Sequence, residues 1–284
     1  MPEPAAITSR KNPIVMQFRR AHDGADPARF VIEGVRFLEE AIRCDADVEL
    51  VLATPELASS ARARPALDAL RKRGVEVRAA TEEVLDAACS VRTPAGVAAL
   101  ARRPETRLEA LFPADAPAFV VVAAGVSDPG NLGTLVRTAD AAGATGFATT
   151  RESVSPWNDK ALRATAGSVF RLPIAAGARF ADVVERARAA GARVVVASAG
   201  AGESAHDADL RPPLALVLGS EGFGLPDDVR AAADLLVRVP LRHGVESLNV
   251  AAAGAVLCFE VARQAARSDA GASDRTSGAA GGAR

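Results

Sequence analysis

The sequence has few of the residues on which cross-linked or metal-binding proteins depend. Its 284 residues include only three cysteines, Cys44, Cys89 and Cys258, and they lie far apart with no Cys-x-x-Cys pair. An odd and scattered set argues against a disulfide framework and predicts buried, small apolar side chains. The three histidines are equally scattered, so no zinc-ligand spacing occurs and metal catalysis is disfavoured.

Long apolar runs and an overall basic charge are also missing. No apolar run approaches the roughly 20 residues that cross a bilayer. The first six residues carry an acid and two prolines, where a secretory signal would have basic residues and an apolar core. We therefore expect a cytoplasmic, globular protein with no membrane association. The formal charge of −1 argues mildly against a nucleic-acid partner.

The basic residues that are present lie in local clusters, which keep basic surface patches open as an interpretation. The alternative is that each cluster is an ordinary solvated helix face. The clusters are Arg10, Lys11, Arg19 and Arg20; then Arg62, Arg64, Arg71, Lys72 and Arg73; then Arg92, Arg102, Arg103 and Arg107.

The pattern of apolar runs predicts two α/β domains. Residues 1–105 alternate short strand-like runs with amphipathic helical stretches, and 106–117 form a linker rich in proline, alanine and charge. The alternation resumes over 118–267, where crossovers between strands favour a mainly parallel sheet. Residues 268–284 are poor in large apolar side chains, so we expect a disordered tail.

Three segments in the second half share one arrangement, in which a strand-like run leads into a glycine-containing loop. The segments are 119–133, 214–226 and 239–251. Such loops at strand ends predict one composite pocket. The spacing of 125–130 is like that of a P-loop, but Asn131 and Leu132 stand where Lys and Ser or Thr are required. A Gly-x-Gly-x-x-Gly after Val122 is also missing, which leaves a different adenosine-bearing cofactor as the candidate.

Taken together, the three loops resemble the motifs of the SpoU (TrmH-like) family of RNA ribose 2′-O-methyltransferases. The matches are Asn131, Gly133, Arg137 and Gly143 for the first motif, 218–225 for the second, and Pro240 with 247–250 for the third. The resemblance implies S-adenosylmethionine as cofactor, a trefoil knot in the C-terminal domain, and a homodimer with the pocket near the subunit interface. It also implies that Gly219, Val239 and Leu248 frame the adenosine.

The same resemblance implies a catalytic set of Asn131, Arg137, Glu221, Ser247 and Asn249. An arginine in a protein is effectively always protonated. We therefore expect Arg137 to grip a target phosphate and stabilise the developing alkoxide, with the RNA phosphate as candidate proton acceptor. The alternative is a surface arginine paired with Asp140.

Two of these positions keep a second interpretation. Asn131 alternatively forms an Asx turn with Gly130, and Ser247 alternatively caps the following helix. His243 stands where the family often carries glycine, with Gly244 one place later, which leaves the geometry of that loop open.

The segment 155–168 also resembles the family. Lys160 and Arg163, three residues apart, share one helical face and are candidate contacts for RNA phosphate. Trp157 either stacks on a base or packs in the protein. With no tyrosine and 4% aromatic residues, recognition by backbone and shape is favoured over extensive base stacking.

The segments 7–13, 29–34 and 94–97 resemble the ribosomal-protein-like substrate-binding domain of rRNA-modifying members. Large-subunit rRNA is therefore the preferred substrate. Two alternatives stay open, namely a tRNA ribose 2′-O-methyltransferase and a non-catalytic RNA-binding factor of ribosome assembly.

Overall fold

The structure, a computed structural model, describes residues 5–89, 96–219 and 227–278. It divides into two compact units. One unit contains the chain up to Glu105 together with Trp157–Asp159, and the other contains Thr106–Pro156 and the chain from Lys160 onward.

The first unit is a small α/β domain around a mixed sheet. Its elements are α1 (Pro13–His22), β1 (Arg29–Glu33), α2 (Val35–Arg43), β2 (Val48–Ala53), α3 (Pro55–Ala58), α4 (Ala63–Lys72), β3 (Glu76–Ala79), α5 (Glu82–Ala88) and β4 (Val97–Arg102). The strands lie in the order β1-β4-β2-β3, with β4 antiparallel to both neighbours and β2 parallel to β3. Val15 and Phe18 of α1 pack into a buried cluster with Leu52 and Leu100 of the sheet.

The second unit is built on a larger sheet. Its elements are β5 (Phe119–Ala124), α6 (Pro129–Ala141), β6 (Gly146–Thr150), α7 (Asp159–Thr165), β7 (Ile174–Ala178), α8 (Phe180–Ala189), β8 (Arg193–Ala197), β9 (Glu203–Ser204), β10 (Leu214–Gly219), α9 (Asp227–Ala231), β11 (Leu235–Arg238) and α10 (Val250–Gly278), with 3₁₀ turns at Leu108–Leu111 and Ser168–Phe170.

The sheet of this unit runs in the order β7-β6-β5-β10-β8-β11-β9, and its pairings are parallel. The prediction of an α/β protein with a mainly parallel sheet is confirmed. The central strands β5 and β10 are almost wholly buried and apolar, as expected for strands covered on both faces. The trefoil knot stays a prediction.

The C-terminal helix differs from the sequence-based expectation. We expected a disordered tail from residue 268, whereas α10 continues to Gly278. Extending an existing helix adds one hydrogen bond per residue without a new nucleation step, so a polar segment can follow a well-packed one. None of the helices in the described ranges combines the length and apolar character that a membrane span requires.

Two glycines let the helices around the site approach closely. A Cβ on Gly133 of α6 would lie 2.2 Å from the carbonyl oxygen of Ala161 in α7, and one on Gly254 of α10 would lie 2.3 Å from Leu135 of α6. The motif glycine at 133 therefore serves helix packing. Gly143, another motif glycine, follows the end of α6 with φ of +79°, the left-handed conformation that commonly ends a helix.

Candidate active site

A cavity of about 410 Å³ lies at the carboxyl ends of three parallel strands. It is bounded by the residues that follow β8, by the end of β10, by the segment after β11 and by the first turns of α10. The lining residues are 197–200, Leu218, Gly219, Arg230, Val237, Val239, Leu241, 246–248, Val250, Ala253 and Leu257. Crevices beyond the carboxyl ends of parallel strands are the usual ligand sites of open α/β sheets, and the volume suits a small organic ligand.

The cavity brings together the residues that the family resemblance assigns to the cofactor. Gly219, Val239 and Leu248 all line it, although they lie on different segments of the chain. Ser247, predicted to be catalytic, lines the same cavity. Two charged residues of the lining were not among the predicted site residues, namely Arg230 on α9 and Glu246 before Ser247.

The start of α6 is held by an aspartate that sequence analysis did not single out. Asp128 caps the helix, since its Oδ1 accepts from the backbone N–H of Asn131 at 2.8 Å, and Pro129 occupies the first helical position. The other carboxylate oxygen of Asp128 meets Lys160 Nζ at 3.0 Å. The cap bond to Asn131, and then Lys160, lower the pKa of Asp128, so it stays ionised. Asn131 therefore sits in the first turn of a capped helix rather than in an Asx turn with Gly130.

The start of α10 meets the start of α6 through a pair of asparagine side chains. Asn249 Nδ2 donates to Asn131 Oδ1 at 3.0 Å, so one hydrogen bond joins two predicted catalytic residues that are 118 positions apart. Asn249 also caps α10, since its Oδ1 accepts from the backbone N–H groups of Ala251 and Ala252. The alternative cap at Ser247 is thus replaced by Asn249.

Arg137 projects from α6 to solvent and makes no ion pair with any residue in the described ranges. The alternative partner, Asp140, binds Arg171 instead, whose Nη2 and Nε lie 2.7 and 3.0 Å from one carboxylate oxygen. Arg137 is absent from the cavity lining. The predicted catalytic Glu221 falls outside the described residues.

The loop before Ser247 has two consecutive residues in the left-handed conformation that glycine favours. His243 has φ of +58° and Gly244 has φ of +74°, so both adopt the left-handed conformation. A non-glycine residue pays a steric cost there, and His is among the residue types that tolerate it better. The substitution of His for glycine therefore leaves the turn in place.

The segment that leads into α7 and α7 itself contain two exposed basic residues and one buried tryptophan. Lys160 and Arg163 are both exposed, and Lys160 is engaged by Asp128. Trp157 is only 8% exposed, and its ring centroid lies 5.0 Å from that of Phe30 in the same unit. The packing interpretation of Trp157 therefore replaces base stacking.

In the part of the chain that the structure describes, no cluster of His, Cys, Asp and Glu side chains could hold a metal ion.

Comparison with known proteins identifies the family. Residues 118–259 match the SpoU rRNA methylase family, and residues 31–107 match the RNA 2′-O ribose methyltransferase substrate-binding family. The chain belongs to the SpoU rRNA methylase family. It is accordingly an S-adenosylmethionine-dependent RNA 2′-O-methyltransferase, as the three motifs predict.

Relatives extend over nearly the whole chain. The 23S rRNA (guanosine(2553)-2′-O)-methyltransferase RlmP of Bacillus subtilis is 31% identical over 258 residues, covering 90% of this chain and 98% of the relative. An AdoMet-bound rRNA methyltransferase from Sinorhizobium meliloti superposes with a TM-score of 0.80 at 30% identity, covering 91% of this chain and 97% of the other. AviRb from Streptomyces viridochromogenes, in complex with AdoMet, has a TM-score of 0.78 at 26% identity, covering 89% and 98%.

The cavity fits S-adenosylmethionine in size and chemistry. Leu218, Val239 and Leu257 supply apolar walls for a purine, and the lack of a side chain at Gly219 permits close approach of a ligand to the backbone. The amino-acid part of this cofactor carries a carboxylate and an ammonium group. Among the described residues of the lining, Arg230 is a cation and Glu246 an anion that can match these two groups.

Proposed function

We propose that this enzyme methylates a guanosine ribose 2′-hydroxyl in large-subunit, 23S rRNA. One observation carries the proposal: relatives with that printed activity match this chain over both the substrate-binding region and the methylase domain, for 90% of its length in one case. The match to the substrate-binding family disfavours a tRNA substrate, since the resemblance associates such a domain with rRNA-modifying members.

The proposed binding of the cofactor follows the cavity. Gly219, Val239 and Leu248 contact the adenosine, mainly through backbone groups. Arg230 binds the carboxylate, and Glu246 binds the ammonium group. Such charge-assisted hydrogen bonds are stronger than neutral ones and fix orientation. When bound, S-adenosylmethionine supplies an electrophilic methyl group.

The remaining catalytic work is to place the ribose hydroxyl and to handle its proton. Arg137 stays charged and grips a phosphate beside the target nucleotide, so it stabilises the oxygen as its negative charge develops. The hydroxyl proton passes to a phosphate oxygen of the RNA. Asn131 and Ser247 complete the polar surface toward the ribose, and Glu221 keeps the catalytic role that the resemblance implies. Positioning dominates, as is usual where a nucleophile must be held in line with the group it attacks.

RNA recognition in this proposal combines both units. Arg163 and Lys160, exposed on α7, contact RNA phosphates, and the N-terminal unit supplies a further RNA-binding surface. The trefoil knot and the homodimer that the resemblance implies belong to the same proposal, as does the cytoplasmic location expected from the sequence. The exposed Val256 (42%) and Phe259 (54%) on one face of α10 support an interface with a second copy.

The test is transfer of radiolabelled methyl from S-adenosylmethionine to separated rRNA and tRNA that lack their native methylation, followed by nucleoside analysis. Label in 23S rRNA as 2′-O-methylguanosine is the expected result. Label only in tRNA would overturn the assigned substrate. No label in any RNA or assembling particle, with intact cofactor binding, would favour the non-catalytic alternative.

A further inference from the structure

The hydrogen bond between the two asparagines of the site has a direction, and a helix cap sets it. Asn249 Oδ1 accepts from the backbone N–H groups of Ala251 at 3.0 Å and Ala252 at 3.2 Å. Backbone N–H groups can only donate, so the oxygen end of the Asn249 carboxamide must face α10. The nitrogen end then faces Asn131 and donates to its Oδ1 at 3.0 Å.

Asn131 thereby acquires a fixed polarity. Its oxygen is turned toward Asn249, so its amino end is turned away. Its backbone is held separately, because its N–H donates to Asp128 Oδ1 at 2.8 Å. An isolated carboxamide can exchange its two ends with little change in shape. In this pair, such an exchange at Asn131 would place two N–H donors against each other.

We propose that Asn249 is a positioning residue that makes Asn131 present an N–H donor, and not an oxygen, to the ribose of the target nucleotide. The proposal rests on the proposed function, in which a ribose oxygen becomes negatively charged during methyl transfer. A preorganised donor stabilises that charge, whereas a carbonyl oxygen at the same place would oppose it. The cap of α10 is therefore part of the catalytic arrangement as well as of the fold.

Two substitutions at one position separate this role from simple capping. Asn249→Ser and Asn249→Asp both keep a good helix cap, since Ser, Asp and Asn are about equally favourable there. The serine is too short to reach Asn131. The aspartate reaches it with an oxygen that can only accept, so Asn131 must turn its amino end inward and its own oxygen outward. Asn131→Asp completes the set, because it still accepts from Asn249 but has lost its donor.

We expect both Asn249 variants to keep the melting temperature and the affinity for S-adenosylmethionine of the wild type. Single-turnover methyl transfer to rRNA should fall in the order wild type, Asn249→Ser, Asn249→Asp, with Asn249→Asp and Asn131→Asp each slower than wild type by about 10²-fold. Equal rates for the serine and aspartate variants would overturn the proposal. Asn249→Ala is the control that loses the cap. Rates that fall only in proportion to the melting temperature across these variants would also overturn the proposal.

A second measurement is independent of methylation. The chain has four asparagines, Asn12, Asn131, Asn158 and Asn249, so selective ¹⁵N labelling gives four side-chain NH₂ signals. The Asn249 signal should show a slowly exchanging proton that becomes fast in Asn131→Ala. Unchanged exchange would overturn the assigned direction of the bond. If the wild type transfers no methyl to any RNA, the proposed function fails, while this signal still decides the polarity.

Discussion

Replacing Arg137 by alanine should abolish most methyl transfer while leaving the fold and the cofactor site intact. Arg137 is exposed and has no ion pair with any described residue, so its loss should change the free energy of unfolding by no more than about 0.5 kcal/mol. It does not line the cavity, so the dissociation constant of S-adenosylmethionine should stay within about twofold. Removal of a preorganised group at a developing negative charge costs about 10²- to 10³-fold in rate, or about 3 to 4 kcal/mol.

The assay is single-turnover transfer of labelled methyl to rRNA, with calorimetric titration of the cofactor and thermal unfolding on the same preparations. Arg137→Lys should recover part of the rate, since it restores the charge but not the planar fork. Arg171→Ala is the matched control: it removes the partner of Asp140, so it should affect stability more than transfer. If the cofactor affinity of Arg137→Ala falls together with its rate, the role assigned to Arg137 is wrong.

Contacts of Gly133, Asp128 and Glu260 allow three further predictions. Gly133→Ala should lower the melting temperature by a few degrees, because crowding against Ala161 costs about 1–3 kcal/mol, more than the roughly 1 kcal/mol gained in helix propensity. Asp128→Asn should keep the cap of α6 and the melting temperature, whereas Asp128→Ala should lower it; equal melting temperatures would contradict the capping role. The hydrogen bond from Arg263 lowers the pKa of Glu260 from 4.5 to about 2. Ionised Glu260 therefore stabilises the folded state fully above pH 4.5, and this stabilisation is lost as the pH falls toward 2. Glu260→Gln should remove that part of the acid dependence in unfolding measured from pH 6 to 2.

The fold could be predicted where burial on both faces leaves a clear pattern. The runs that became β5, β8 and β10 are continuous and apolar, and the helices between them predicted a parallel sheet. The sequence gives little indication of β7, because its Ile-Ala-Ala-Gly-Ala run has one β-branched residue and no alternation. Small residues give no periodic signal, and only the neighbouring strand β6 defines β7 as a strand.

The candidate site residues follow from the family resemblance, whereas the hydrogen bonds between them depend on coordinates. The motifs supplied Asn131 and Asn249 by resemblance, yet which atom donates to which depends on the cap of α10 and therefore on coordinates. Asp128 had a readable signal, since Asp-Pro at a predicted helix start is typical of an N-cap followed by the first helical residue. Arg230 had none, because it lies outside the motifs and reaches the cavity only through the placement of α9.

The near-neutral net charge is compatible with an RNA substrate because the basic clusters differ in what they contact. Most of the second cluster is neutralised within its own unit, through Arg62 with Glu39, Arg71 with Asp68 and Arg73 with Asp45. In the third, Arg102 pairs with Glu49, and Arg103 is half-buried and donates to the carbonyl of Arg29. In the first, Arg10, Lys11 and Arg20 are exposed and form no ion pair with any residue in the described ranges. The net charge hides this difference because it counts paired and unpaired arginines equally. Only an unpaired arginine can bind phosphate without first breaking an ion pair. The start of α1 therefore offers one unpaired basic surface through which we expect the N-terminal unit to contact RNA.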